Sequence, residues 1–308
     1  MKKLLCLLVL IYLLPVQRLA AQHFNYYGLA YQADSLLQIS KNSASASLYD
    51  EAFKNPPTRL VEYDLYNAAC AHARIGNKDK GLTYLEILVK RTKYHDPEDL
   101  RKDEDLKILT GNKRWENILQ TAVKNSIAFE AKLNKPLNDS LESIFDRDQY
   151  HRRKLNGLIK EYGVESALVN NLEDSIRHDD EMNIKFVSKI LEKYGWVGND
   201  LVGYKGTSAM FAVIQHADNY HEIQKKALPL LRKAVLKGTA DGSSLAALED
   251  RLLVFEGKDQ LYGTQMSRSK EGVWKPFRIH DEANVDIRRA SAGLYPLRYY
   301  INFFNKAK

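Results

Sequence analysis

Cysteine is almost absent from this chain of 308 residues: Cys6 lies in an N-terminal apolar run, and Cys70 stands alone after it. Without that run no internal disulfide can form, and no Cys-x-x-Cys pair exists to grip zinc. His-Glu-x-x-His is missing too, as are a Gly-x-Ser-x-Gly elbow, a phosphate loop and a dinucleotide glycine pattern. No motif therefore supports a known catalytic or cofactor-binding class, and no cofactor or metal is expected. Charge of one sign is never concentrated. The formal net charge of +7 is spread thinly, with no basic tail or block, so nucleic-acid binding has no electrostatic footprint.

The remaining apolar run is short. Lys2 and Lys3 precede Leu4–Val16, and QRLAAQ follows. A basic start, an apolar middle and small residues before a polar one describe a secretory signal peptide over residues 1–21, cleaved after Ala21. Thirteen apolar positions are too few for a bilayer span. The mature form is expected outside the cytoplasm, periplasmic or extracellular, with no membrane segment. Loss of Lys2, Lys3 and Arg18 lowers the charge to +4. Cys70, in NAACAHA on a small-residue helix face, reads as a buried inert thiol.

Helical periodicity dominates what is there. Residues 24–55 suggest two helices around Lys41-Asn42, stopped by Pro56-Pro57. Residues 61–92 repeat the scheme, with YDLYNAACAHARI, a turn at Gly76-Asn77, and GLTYLEILVKR. Leu65, Ala68, Ala69, Leu85 and Leu88 fall where two antiparallel helices cross closely. This second unit resembles a tetratricopeptide repeat, and Tyr49, Ala52 and Pro57 match it more loosely in the first. HDPEDLRKDEDLKILTGNKRWENIL then resembles the closing segment of such arrays. Residues 22–122 are thus expected to form a short helical-repeat region with a cap, serving as a spacer, a dimer contact or a protein-binding surface.

A second domain is expected over 125–308, mostly α-helical with one β-hairpin. Its helices are predicted at Leu137–Tyr162, Glu165–Arg177, Asp179–Tyr194 and Thr207–Ala217. A further one runs to Leu236, opened by an Asn219/Glu222 capping box and kinked at Pro229. GYKGTS at Gly203–Ser208 opens a helix and offers backbone amides to an anion, or is an ordinary capped turn. In Leu245–Gln265, LAALEDRLLVFEGKDQLYGTQ, the helix is apolar nearly all round, with Glu249 and Glu256 as its water-facing edge. On a helical wheel Arg251 points away from that edge, so it is expected to be the most buried charge, paired with Asp148, Asp179 or Asp286. Asp250 is expected to find Arg152, Arg288, Arg289, Gln260 or Tyr262. The period then switches to two, which predicts a strand with Gln260, Tyr262 and Thr264 on one face, hairpinned to KPFRI across Gly272. Helices near Val285–Ala292 and Leu297–Phe304 close the chain.

Several polar residues fall where these helices should bury them. Asp148-Gln149 and Arg152 share one helix, Asp179 and Asn183 another, and His216 lies on a face with Ala209, Ala212 and Val213. Singly, each is an ordinary ion pair, cap or satisfied core group. Together with Gln215-His216-Ala217-Asp218, Asp250-Arg251, Gln260-Tyr262-Gly263-Thr264-Gln265, Arg288-Arg289 and Gly293-Leu294, they form a pattern. On these motifs residues 137–295 resemble a bacterial family known only as a domain of unknown function. The resemblance implies one domain in which the motifs converge, and no activity. Two readings remain. One is an interaction module holding a protein or a small molecule through Asp148, Gln149, Arg152, Asp179, Asn183, Arg251, Gln260, Tyr262, Thr264, Gln265, Arg288 and Arg289. The other is a hydrolase or lyase with His216 as general base, Asp218 or Asp250 orienting it, and Arg251 or Arg288 holding an anion.

Overall fold

A computed structural model describes residues 25–269 and 272–306. The expected signal peptide lies outside them. The described chain is mostly α-helical with one small antiparallel sheet, as its periodicity predicts.

The chain divides into two compact units, residues 1–131 with 281–308, and residues 132–280. The expected division had its boundary near 125 and placed 281–308 with the second domain. In the first unit α1 (25–38) and α2 (Asn42–Ala52) precede α3 (Glu62–Arg74) and α4 (Lys78–Ile87). Then come a π turn, α5 (Pro97–Lys102), a 3-10 turn and α6 (Lys113–Glu130). α3 and α4 approach closely because their contact is made of Ala69 and Gly81; a Cβ on Gly81 would meet the Ala69 carbonyl at 3.3 Å. The C-terminal helices α12 (Val285–Ser291) and α13 (Leu297–Lys306) complete this unit. Tyr299 stacks on Tyr31 at 4.0 Å, Tyr295 meets Tyr27 and Tyr31 edge-on, and Ala290 enters the core. Aromatic pairing of this kind joins segments far apart in sequence and leaves no periodic trace.

In the second unit α7 (Lys135–Tyr162) carries its core stripe at Leu137, Leu141, Ile144 and Asp148. α8 (Ala167–Tyr194) is one continuous helix of 28 residues. The expected break between Arg177 and Asp179 does not occur, because Asp179 and Asp180 find partners on α7. α9 (Asn199–Gln215) is interrupted at Gly203, whose φ of 67° and ψ of 172° suit a residue without a side chain. GYKGTS is therefore the inside of a kinked helix, not a loop at its start. Thr207 donates its hydroxyl back to the Gly203 carbonyl, and Lys205 pairs with Asp146.

α10 (His221–Lys237) follows Tyr220, which makes no side-chain cap, so the Asn219/Glu222 box is not made. The buried Gln224 instead donates to the Ile214 carbonyl at the end of α9. α11 (Gly242–Phe255) buries Ala246, Leu248, Asp250 and Leu252. Strands β1 (Met266–Arg268) and β2 (Trp274–Pro276) pair antiparallel, Met266 opposite Pro276, around the turn at Gly272. The hairpin is as expected, but residues 261–265 ahead of it are not a strand.

Candidate functional site

Asp250 explains that difference. It is wholly buried on α11, and its carboxylate accepts five hydrogen bonds from the segment that follows. Oδ1 takes the amides of Leu261 (2.7 Å) and Tyr262 (3.0 Å). Oδ2 takes Tyr262 again, the Thr264 amide (2.9 Å) and the Thr264 hydroxyl (2.8 Å). Amides aimed at one buried anion cannot also join a strand ladder, so charge wins over the alternating pattern. Gln260, also fully buried, finishes the wrap. Its Nε2 donates to the carbonyls of Gln265 and Phe277, and its Oε1 accepts the Gln265 amide. The partners expected for Asp250 among the arginines are not used.

Arg251 behaves differently from the helical-wheel expectation. It is about a quarter exposed, whereas the side chain of Glu249 is only 13% exposed. Its long side chain carries the guanidinium outward. Nε and Nη2 donate to Asp218 Oδ1 (2.9 and 2.6 Å), and Nη1 donates to Gln265 Oε1 (3.1 Å). Asp148, Asp179 and Asp286 are not its partners. Glu249 lies against Arg232 and Tyr262; burial first, then the charge and hydrogen bond of Glu249, pushes the Tyr262 phenol up to about 12.

A second cluster joins α7, α8 and the end of α9. Asp148 Oδ1 accepts from Arg152 Nε (2.8 Å), and Oδ2 accepts from Gln149. Arg152 reaches on to Asp180 at 3.1 Å. Asp179 lies against His151 (3.2 Å) and Arg147 (3.6 Å), while Arg147 donates to the buried Asn183. His216, in the turn after α9, places its shielded Nδ1 3.5 Å from Asp148 Oδ1, at the long edge of hydrogen bonding. Burial would raise the Asp148 carboxyl, but His216 and Arg152 together hold it below the ordinary value. Asp180 goes the other way, raised by burial beyond what Arg152 and His216 offset. Two carboxylates around one guanidinium thus have opposed proton affinities.

The motif residues therefore assemble into two clusters, and the Gln215–Asp218 turn joins them. His216 faces the first, Asp218 the second, and the Asp218 amide donates to the His216 carbonyl at 2.8 Å. Arg288 and Arg289 belong to the first unit. Arg288 donates to the Asp281 carbonyl, and Arg289, 1% exposed, donates to the Tyr295 carbonyl beneath the Tyr300 ring. Asp286 accepts the amide of Leu297. Sequence reading missed Asp180, Arg147 and His151; a signal was available, since Arg152 paired at i−4 to Asp148 still has donors to place.

His216, Asp218 and Asp250 do not assemble as metal ligands, because Asp250 faces its own loop and Asp218 faces Arg251. Cys70, Asp103 and Asp105 do bring ligand atoms together. All three are already engaged: Tyr66 donates to Asp103, Arg74 holds Asp105 at 2.7 Å, and burial with Asp103 pushes the Cys70 thiol up.

A family described as a family of unknown function (DUF6624) matches residues 137–308, more than half of the chain. The chain belongs to this family. No curated protein and no solved structure matches it. The family segment holds both polar clusters and the C-terminal helices, while the helices before α7 lie ahead of it.

Proposed function

We propose that this member of the family is an exported, non-catalytic module that binds a protein or a small molecule. The engagement of Asp250 carries the reading: a buried carboxylate whose oxygens accept five hydrogen bonds from its own loop holds that loop and does not face a ligand. Gln260, Thr264 and Gln265 are likewise spent on shaping that loop. Groups at the surface of the two clusters remain for a ligand, chiefly the Arg152–Asp180 pair, His216 and the Arg251–Asp218 pair, all partly exposed. They offer charge of both signs, which suits a zwitterionic or peptide-like ligand. The hairpins of the first unit, similar to tetratricopeptide repeats, serve as spacer or protein-contact surface. The leader-like residues 1–21 support export; N-terminal sequencing of the processed protein should begin at Gln22, and a soluble form beginning at Met1 would refute secretion.

One observation favours a second reading, a hydrolase or lyase. A carboxylate beside an imidazole nitrogen is the arrangement that orients a general base, and here Asp148 supplies it to His216, not Asp218 or Asp250 as expected. Thermal-shift screening of metabolites and peptides, run beside turnover measurement on the same compounds, separates the two. Binding without turnover, weakened by Arg152→Gln, supports the module. Turnover lost in His216→Gln supports the enzyme.

A further inference from the structure

Asp64 lies wholly buried on α3, and among the described residues no cation pairs with it. Tyr26 of α1 donates its hydroxyl to Oδ2 at 2.8 Å, while Oδ1, shielded from water, has no hydrogen-bond partner. The Tyr49 hydroxyl of α2, equally buried, has none either. From the C-terminal segment the Tyr295 hydroxyl also approaches the carboxyl. Asp34 of α1, which acts on Asp64, has the same sign and is held by Tyr63, Asn67 and Gln38; the base Arg59 acts on Tyr27. A carboxyl so placed is tolerated best as the neutral acid, and its proton affinity is raised to about 6, by burial first.

The elements around Asp64 are not equally anchored. α1, α2 and α3 share one core, through Ala30, Ala33, Tyr49, Ala52, Leu65 and Ala68. The C-terminal segment adds only Ala290 to that core, with Tyr295 partly buried against it. Its ring contacts are Tyr295 edge-on to Tyr27 and Tyr31, and Tyr299 stacked on Tyr31. The segment is also knit to itself, since Arg289 of α12 donates to the Tyr295 carbonyl and Asp286 accepts the amide that opens α13. It can therefore move as one body, at less cost than parting α1 from α3. The family match, residues 137–308, includes these two helices, whereas the helices that receive them lie ahead of it. A family segment whose last helices pack on helices outside it carries a docking element.

We infer that the tyrosine face of α1 is a docking surface for residues 285–306, and that ionisation of Asp64 lifts them from it. In the docked state the carboxyl is cut off from water. Moving Tyr295 away lets water reach it, so the open state binds the proton less tightly. A proton released on opening makes opening more favourable as pH rises. The segment is held in acid and freed as pH rises through about 6. The inference does not depend on the ligand-binding reading above.

Hydrogen exchange of the full chain, expressed as protection relative to an unstructured peptide at the same pH, tests it. Opening of α12 and α13 should rise by up to about tenfold per pH unit between about pH 4 and 6 and level off above, while α3 and α4 stay protected. Asp64→Asn, which keeps a neutral side chain, should hold the segment docked at every pH. Tyr299→Ala, which removes the stack on Tyr31, should free it even in acid with α3 and α4 intact. Protection of α12 and α13 that does not change with pH overturns the inference. So does its loss only together with α3 and α4, or a pH dependence that persists in Asp64→Asn.

Discussion

Replacing Asp250 with alanine removes the acceptor of the buried Thr264 amide and hydroxyl and of the part-buried Leu261 and Tyr262 amides. Each buried donor left unsatisfied costs about 1–3 kcal/mol, partly recovered where the loop relaxes to water. The net loss is expected to be about 3–5 kcal/mol, the range for breaking a buried charged contact. Asp250→Asn should lose about half as much, since one oxygen still accepts while the new amide faces the Thr264 donors. Arg251→Ala, by contrast, removes a partly exposed pair with Asp218 and one bond to Gln265, and should cost about 1 kcal/mol. Glu249→Ala should cost about as much as Arg251→Ala, although the helical wheel makes Arg251 the more buried of the two. Urea denaturation gives the order, and hydrogen exchange at Leu261, Tyr262 and Thr264 gives the cause. In Asp250→Ala those three amides should exchange far faster while amides of the α7 core stay protected. An unchanged midpoint with the three amides still protected would refute this role of Asp250.

Two further outcomes are expected. Asp64, fully buried in the first unit against the Tyr26 hydroxyl, has its carboxyl raised to about 6, by burial first. The folded state therefore holds a proton that the unfolded state has released, so this contribution is complete below about pH 4 and is lost as pH rises through 6, by about 3 kcal/mol. Asp64→Asn should flatten that part of the stability–pH curve, and an unchanged slope would place the titration elsewhere. Residues 132–280, expressed alone, should unfold cooperatively because their core is their own; a fragment with helical signal but no transition would dissolve the boundary.

The helices were legible where a stripe and a stop agreed. Leu137, Leu141 and Ile144 with Gly163 bound α7, and Gly195 closes α8. The break expected at Arg177–Asp179 failed because a polar run inside a helix looks like a loop until its partners, Arg147 and Arg152 on α7, are known. The strand expected at 260–265 failed for a similar reason. Alternation can be read from sequence, but a buried carboxylate capturing three amides cannot. For Arg251 the wheel gives the direction of the Cα–Cβ bond, and a side chain of that length need not stay where it points. The motif groups from Asp148 to Gln265 lie in the second unit, in two polar clusters. Arg288 and Arg289 belong to the first unit, whose C-terminal segment is tied to α1 by tyrosines, a pairing without local signature.

The central claim is that the family's polar residues shape a binding surface and do no chemistry. Its most direct test is His216→Gln, assayed beside the wild type with any compound or peptide that raises the melting temperature. The account predicts that the wild type binds that compound and returns it unaltered by mass spectrometry, and that the variant binds it more weakly with the fold intact. Conversion of the compound by the wild type, abolished in His216→Gln while binding persists, would contradict it.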